Sequence, residues 1–142
     1  MDDRRKQAFM DKVSIEPFPK LLGIRLVDVR EGYALCEMEC TESMDNIHAT
    51  AHGGAVFSLI DEAFEISSNS HGTMAVALNM NITYIKPVTK GSTIRAESTE
   101  ISRGGRTATY HITVQDKNGL IAVCQALVYR KGDEIPWLQE KR

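Results

Sequence analysis

The chain has 142 residues, 42% hydrophobic and 25% charged, with a net charge of −2 at neutral pH. That is the size and composition of one globular domain, and it excludes a collagen-like or long disordered chain. The slight acidic excess argues against a general nucleic-acid binder, and no apolar run approaches the roughly 20 residues of a membrane-spanning helix.

Residues 1–13 are charged, with Phe9, Met10 and Val13 as the main apolar points, and read as a short helix or a ragged end. They hold no apolar stretch of the secretory-leader kind. With three cysteines (Cys36, Cys40 and Cys124), an odd and sparse set, the expectation is reduced thiols and a cytoplasmic location. Leu21-Leu22 before Gly23 reads as a turn of helix stopped by glycine. From Ile24 the period changes to two, with Ile24, Leu26 and Asp28 alternating with Arg25, Val27 and Val29. Glu31-Gly32 turns the chain and Tyr33 to Cys40 alternates again, making a first hairpin. Cys36 and Cys40 fall on one face of that strand and read as packing residues.

After an irregular segment over 41–50, Val56, Leu59, Ile60, Ala63 and Ser67 share one face at 100° per residue. They mark an amphipathic helix that starts at the Gly53-Gly54 pair and ends near Asn69 to Gly72. Strands follow over Thr73–Ile85, Ser92–Ser102, Arg106–Gln115 and Leu120–Arg130, separated by Lys86-Pro87, Gly104-Gly105 and the Asn118-Gly119 hairpin signal. The tail is polar apart from Pro136, Trp137 and Leu138. Two strands, one long helix and four strands give a single α+β domain over 1–142, with its core over about 20–131. One helix covers only one face of so large a sheet, so the other face or the sheet edge is expected to meet a second subunit.

The start of the long helix holds the most chemistry. Gly53 and Gly54 leave first-turn N–H groups uncovered by side chains, at the positive end of the helix dipole. Such donors bind an anion or stabilise an oxyanion; equally, two glycines let a helix pack closely on a sheet. Asp61 lies off the core stripe, on a second stripe with Phe57, Phe64 and Ser68, where apolar neighbours strengthen a carboxylate as a base. Glu62 and Glu65 fit solvent-exposed acids better. Gly53 and Asp61 are eight residues apart, about 12 Å along a helix, too far to touch one carbonyl. A catalytic use of both therefore requires two chains. Asn46, in the loop entering the helix, offers an amide to a carbonyl or a water, or serves the turn itself. His48 and His52 straddle the helix entry without a third ligand, so no metal site is expected. His71 and His111 have no constellation around them. Arg103-Gly104-Gly105-Arg106 is a basic hairpin tip, suited to phosphates or to solvent.

Together, Asn46, His52-Gly53-Gly54, Asp61 and the segment Asn79-Met80-Asn81-Ile82-Thr83-Tyr84-Ile85-Lys86-Pro87 resemble the hotdog-fold acyl-CoA thioesterases. The closest branch is the PaaI type, which includes the thioesterase superfamily member 2 group. The likeness spans about residues 20–131. It implies a hotdog fold, with about six antiparallel strands wrapped around one central helix. It also implies edge-to-edge dimers through Thr73–Ile85, often paired into tetramers. The resemblance makes Asp61 the nucleophile or general base against an aryl or medium-chain acyl-CoA. Gly53 of the other chain polarises the carbonyl, and Asn46 contacts the carbonyl or water. His52, Gly54, Phe57, Phe64, Ala77 and Asn79 are expected around the substrate, with Met80 beside the acyl group and Ala75 and Ala77 leaving it room. Arg103, Arg106, Lys86 and Lys90 are expected near the CoA phosphates. No cofactor beyond the CoA of the substrate is expected, and neither nucleic acid nor membrane as partner. Some relatives carry a hydroxyl residue where Ala77 stands. A non-catalytic acyl-CoA-binding or sensing module is the alternative on the same fold, and a hotdog dehydratase or hydratase a third.

Overall fold

Alternation decides which face of each strand is buried, and here it curls one sheet around one helix. The computed structural model describes residues 1–139. The elements are α1 (Asp3–Ser14), α2 (Pro17–Leu22), β1 (Arg25–Arg30), β2 (Tyr33–Glu39), α3 (Gly53–Asn69), β3 (Thr73–Tyr84), β4 (Thr93–Arg103), β5 (Thr107–Asp116), β6 (Gly119–Glu134) and α4 (Pro136–Gln139). All six strands join one antiparallel sheet in the order β1-β2-β4-β5-β6-β3. Ala34, Cys36 and Met38 on β2, Ile94 and Ala96 on β4, and Tyr110, Ile112 and Val114 on β5 face inward and are buried. They meet Val56, Leu59, Ile60 and Ala63 of α3, also buried. Full burial of each such Val, Leu or Ile side chain contributes about 1.5–3 kcal/mol. The helix's buried hydroxyl at Ser67 pairs with Ser98 on β4 at 2.7 Å, so no unsatisfied polar group is left at that crossing. The sheet wrapped around α3 is the hotdog architecture expected from the sequence.

The structure corrects several local details. A bulge at Val27 breaks the period of β1. Asp28 therefore points out to Lys6, at 2.6 Å, while Val29 is fully buried. Residues 1–13 are not ragged: α1 is capped by the Asp2 side chain, which accepts from the Arg5 N–H at 2.7 Å. Phe9 buries its ring and meets Trp137 edge-on at 5.0 Å between centroids, so the C-terminal segment docks on α1. The last strand runs four residues past Arg130, to Glu134.

β1 and β3 form the two edges of the sheet. β3 carries twelve residues with no charged side chain among them. A bulge at Leu78 shifts its register against β6, pairing Ala77 with Val128 but Asn79 with Leu127.

Candidate active site

The chain enters α3 through a loop held by Asn46. Its Oδ1 accepts from the His48 and Thr50 N–H groups at 2.8 and 3.2 Å, and its Nδ2 donates to Thr50 Oγ1 at 2.9 Å. These bonds hold the loop while Ala49 sits at a left-handed φ of 59°. Asn46 thus serves the turn, with one amide hydrogen left to donate elsewhere.

His52 is the N-cap of α3, and its Nδ1 accepts from the Gly54 N–H at 2.9 Å. Of the two glycine N–H groups expected to be open, Gly54's is therefore engaged. The Gly53 N–H has no protein acceptor among the described residues and stands at the positive end of a 17-residue helix. Tyr84 on β3 fixes this end by donating its hydroxyl to the Gly53 carbonyl at 3.1 Å. Its ring lies 3.4 Å from where a Gly53 Cβ would be. Tyr84 stands in the segment that carries the family resemblance, yet sequence reasoning assigned it no role, because the contact joins residues 31 apart.

Two turns further on, Asp61 is half-buried and has no hydrogen bond or ion pair among the described residues. Burial, and then the negative charge of Glu16, push its carboxyl above the usual range, which makes it a stronger base. Phe57, one turn earlier, is 39% exposed. Phe64 does not join this surface: it is 1% exposed and packs edge-on against Tyr110 within the core. The expectation that Phe64 lines an acyl site is corrected accordingly.

On β3, Ala77, Met80 and Tyr84 pair with Val128, Ala126 and Ala122 of β6 on the inward face. Asn79 pairs with Leu127 and so faces away from α3, a consequence of the Leu78 bulge that a strict period of two cannot anticipate. Arg103 bonds His71 at 2.5 Å, just past the C-terminal end of α3. α3 is 17 residues long, so its two ends lie about 24 Å apart along the axis. In one chain, then, the Arg103–Arg106 tip lies at the opposite end from Gly53. Lys86 and Lys90 lie between β3 and β4, paired with Asp116 and Glu42 at 3.6 Å each.

Sequence reading placed Glu62 and Glu65 in solvent. Glu65 does sit at the surface, but Glu62 is only 5% exposed and its Oε1 is buried without a hydrogen-bond partner. One carboxylate oxygen each from Glu16, Glu62 and Glu65 lies within 4.8 Å of the others. Burial first, then the other carboxylates, raise the pKa of both Glu62 and Glu65. The missed signal is positional: Leu59, Glu62 and Ile66 fall at i, i+3 and i+7, which is a core row. Two open grooves of the single chain, of about 510 and 680 Å³, lie on the outer sheet face and between α1 and the C-terminal segment. Neither is lined by Asp61 or Gly53.

Comparison with known proteins gives this geometry its context. Residues 48–123 match the thioesterase superfamily. A protein of Archaeoglobus fulgidus is 41% identical over 118 residues, 82% of this chain and 77% of its own. The acyl-coenzyme A thioesterase PaaI of Escherichia coli is 35% identical over 117 residues, 82% of this chain and 84% of its own. The solved structure of that E. coli PaaI protein, from the phenylacetic acid degradation operon, superposes with a TM-score of 0.88, covering 93% of this chain and 96% of that one at 31% identity. A Streptococcus mutans protein solved bound to acetyl CoA gives a TM-score of 0.75 at 25% identity, covering 79% of this chain and 91% of that one. The family match spans more than half of the residues and includes α3 and β3, so the chain belongs to the thioesterase superfamily, with the hotdog fold of its PaaI-type members.

Proposed function

We propose that this protein hydrolyses an acyl-CoA thioester, with an aryl or medium-chain acyl group, to the free acid and CoA at sites shared between two copies of the chain. The observation that carries the proposal is the unpartnered, half-buried Asp61 carboxylate on α3 in a chain of this superfamily. Asp61 of one chain attacks the thioester carbonyl, or takes a proton from the water that does. The carbonyl π electrons move onto oxygen, and the Gly53 N–H of the other chain stabilises the resulting oxyanion. Collapse breaks the C–S bond: in the general-base route the proton taken from water passes to the CoA sulfur and the free acid leaves, whereas in the nucleophilic route the acyl group stays on Asp61 as a mixed anhydride, which a water then hydrolyses to the free acid while its proton goes to the CoA thiolate. Asn46 has one amide hydrogen to offer the carbonyl or the water.

Three features support this reading. About 12 Å of helix separates Gly53 from Asp61 in one chain, so one carbonyl meets both only across a dimer. The long apolar edge of β3 suits pairing with a second copy. The relatives named as acyl-coenzyme A thioesterases and the neighbour bound to acetyl CoA indicate the substrate class.

The test is release of free CoA from aryl, short, medium and long acyl-CoAs. Asp61→Asn and Asp61→Ala are each expected to lower kcat by about 10²–10⁴-fold while the oligomer persists. Undiminished turnover in both variants removes Asp61 from the mechanism. Saturable acyl-CoA binding without any turnover by the wild type would replace hydrolysis with sensing.

A further inference from the structure

Glu16, Glu62 and Glu65 converge from two elements. Glu16 is the N-cap of α2, while Glu62 and Glu65 lie one turn apart on α3. One oxygen from each lies within 4.8 Å of the other two. Among the described residues no lysine, arginine or histidine forms an ion pair with any of the three. Asp61, adjacent in the chain, adds a fourth negative group on the same side. Beneath them is buried Cys36 of β2, an apolar floor whose thiol is raised by its own burial and then by these carboxylates.

A crowded acidic surface alone is unremarkable, because exposed carboxylates are held apart by water. Glu62 is different. It is 5% exposed, and its Oε1 is buried with no donor among the described residues. A cation held among the three carboxylates offers this side chain a partner, because one ion accepts lone pairs from several oxygens at once. We propose that Glu16, Glu62 and Glu65 form a binding site for a hard divalent cation, beside Asp61 and distinct from it.

The donor set selects the chemistry. Three carboxylates without nitrogen or sulfur favour Ca²⁺ or Mg²⁺ over zinc or copper. The three oxygens lie within 4.8 Å of one another, so small side-chain rotations bring them to the roughly 2.4 Å of a Ca–O bond. Water fills the remaining positions on the Glu65 side. The bound ion ties the start of α2 to the middle of α3, one residue from Asp61. The inference does not depend on the proposed hydrolysis, because binding is measured without substrate.

The experiment is calorimetric titration of the chelator-stripped full chain with Ca²⁺ and, separately, Mg²⁺, up to about 10 mM. The wild type is expected to bind one ion per chain saturably. Glu62→Gln, which keeps shape and volume, and Glu65→Gln, at the surface where folding is not at risk, are each expected to weaken binding about tenfold or more. Glu39→Gln, outside the cluster, leaves it unchanged. Circular dichroism and sedimentation confirm that each variant folds and assembles as the wild type does. No saturable binding of either ion overturns the proposal. So does equal binding by wild type and the Glu62→Gln/Glu65→Gln double variant, which would reveal only diffuse surface attraction. Loss of acyl-CoA turnover has no bearing on either result.

Discussion

The two edges of the sheet are built on opposite plans. β1 is six residues long, is bent by the Val27 bulge and carries Arg25, Asp28 and Arg30. α1 packs on it, with Lys6 bound to Asp28 and Phe9 in the core. These are the devices by which a sheet discourages further strands. β3 has twelve residues, no charge, and exposed Val76 and Leu78, the latter 56% exposed. Only its start is shielded: the Asn69 side chain accepts from the Ala75 N–H at 3.0 Å and donates to the Ala75 carbonyl at 3.1 Å, as a neighbouring strand would. One edge is closed within the chain and the other is open. The open edge is also the one whose Tyr84 holds the start of α3, so the proposed pairing with a second copy and the candidate site share a strand.

Charging the open edge is the strongest way to break this contrast. Val76→Lys with Leu78→Lys is expected to convert the proposed dimer to a monomer in sedimentation and to lower acyl-CoA turnover at least about 100-fold. Both positions are exposed, so the far-ultraviolet circular dichroism should be unchanged. A monomer with full activity would place the whole site within one chain. At the closed edge the effect is on stability instead. Phe9→Ala removes a buried ring that also supports Trp137 and should cost about 3–5 kcal/mol in denaturant unfolding, with the oligomer retained. The smallest effect belongs to the exposed Lys6–Asp28 pair. The hydrogen bond from Lys6 holds the Asp28 carboxyl below its ordinary 3.8. Its contribution is present above that value and is lost as pH falls through the lowered one. Lys6→Ala should therefore cost less than about 1 kcal/mol at neutral pH and nothing in strong acid, as followed by unfolding at several pH values.

Much of this was legible in the sequence because periodicity reports burial directly. The α3 core stripe, the hairpin glycines and the strand order along the chain are local patterns. Val27 and Leu78 were not legible, since a bulge is set by the partner strand and reverses the face of every residue after it. Phe64 and Glu62 exchanged expectations for one reason: the sheet curls far enough around α3 to bury a second row of the helix, and neither side chain's chemistry signals that. Asp61 and Gly53 stood out because their chemistry is unusual for their positions. Tyr84 and Glu16 did not, because their roles come from contacts distant in sequence.

The shared site is the central claim, and subunit complementation tests it most directly. Gly53 is the first residue of α3, where proline keeps the helix and removes the N–H. His52 already has the extended backbone that a following proline requires, with φ −60° and ψ 138°. Gly53→Pro alone is expected to lower kcat by about 10²–10³-fold. Co-assembled in equal amounts with Asp61→Asn, half of the dimers are mixed, and each mixed dimer holds one intact site, so about a quarter of wild-type activity should return. Two inactive variants that stay inactive when co-assembled, although mixed dimers form, would show that Asp61 and Gly53 do not act across the interface.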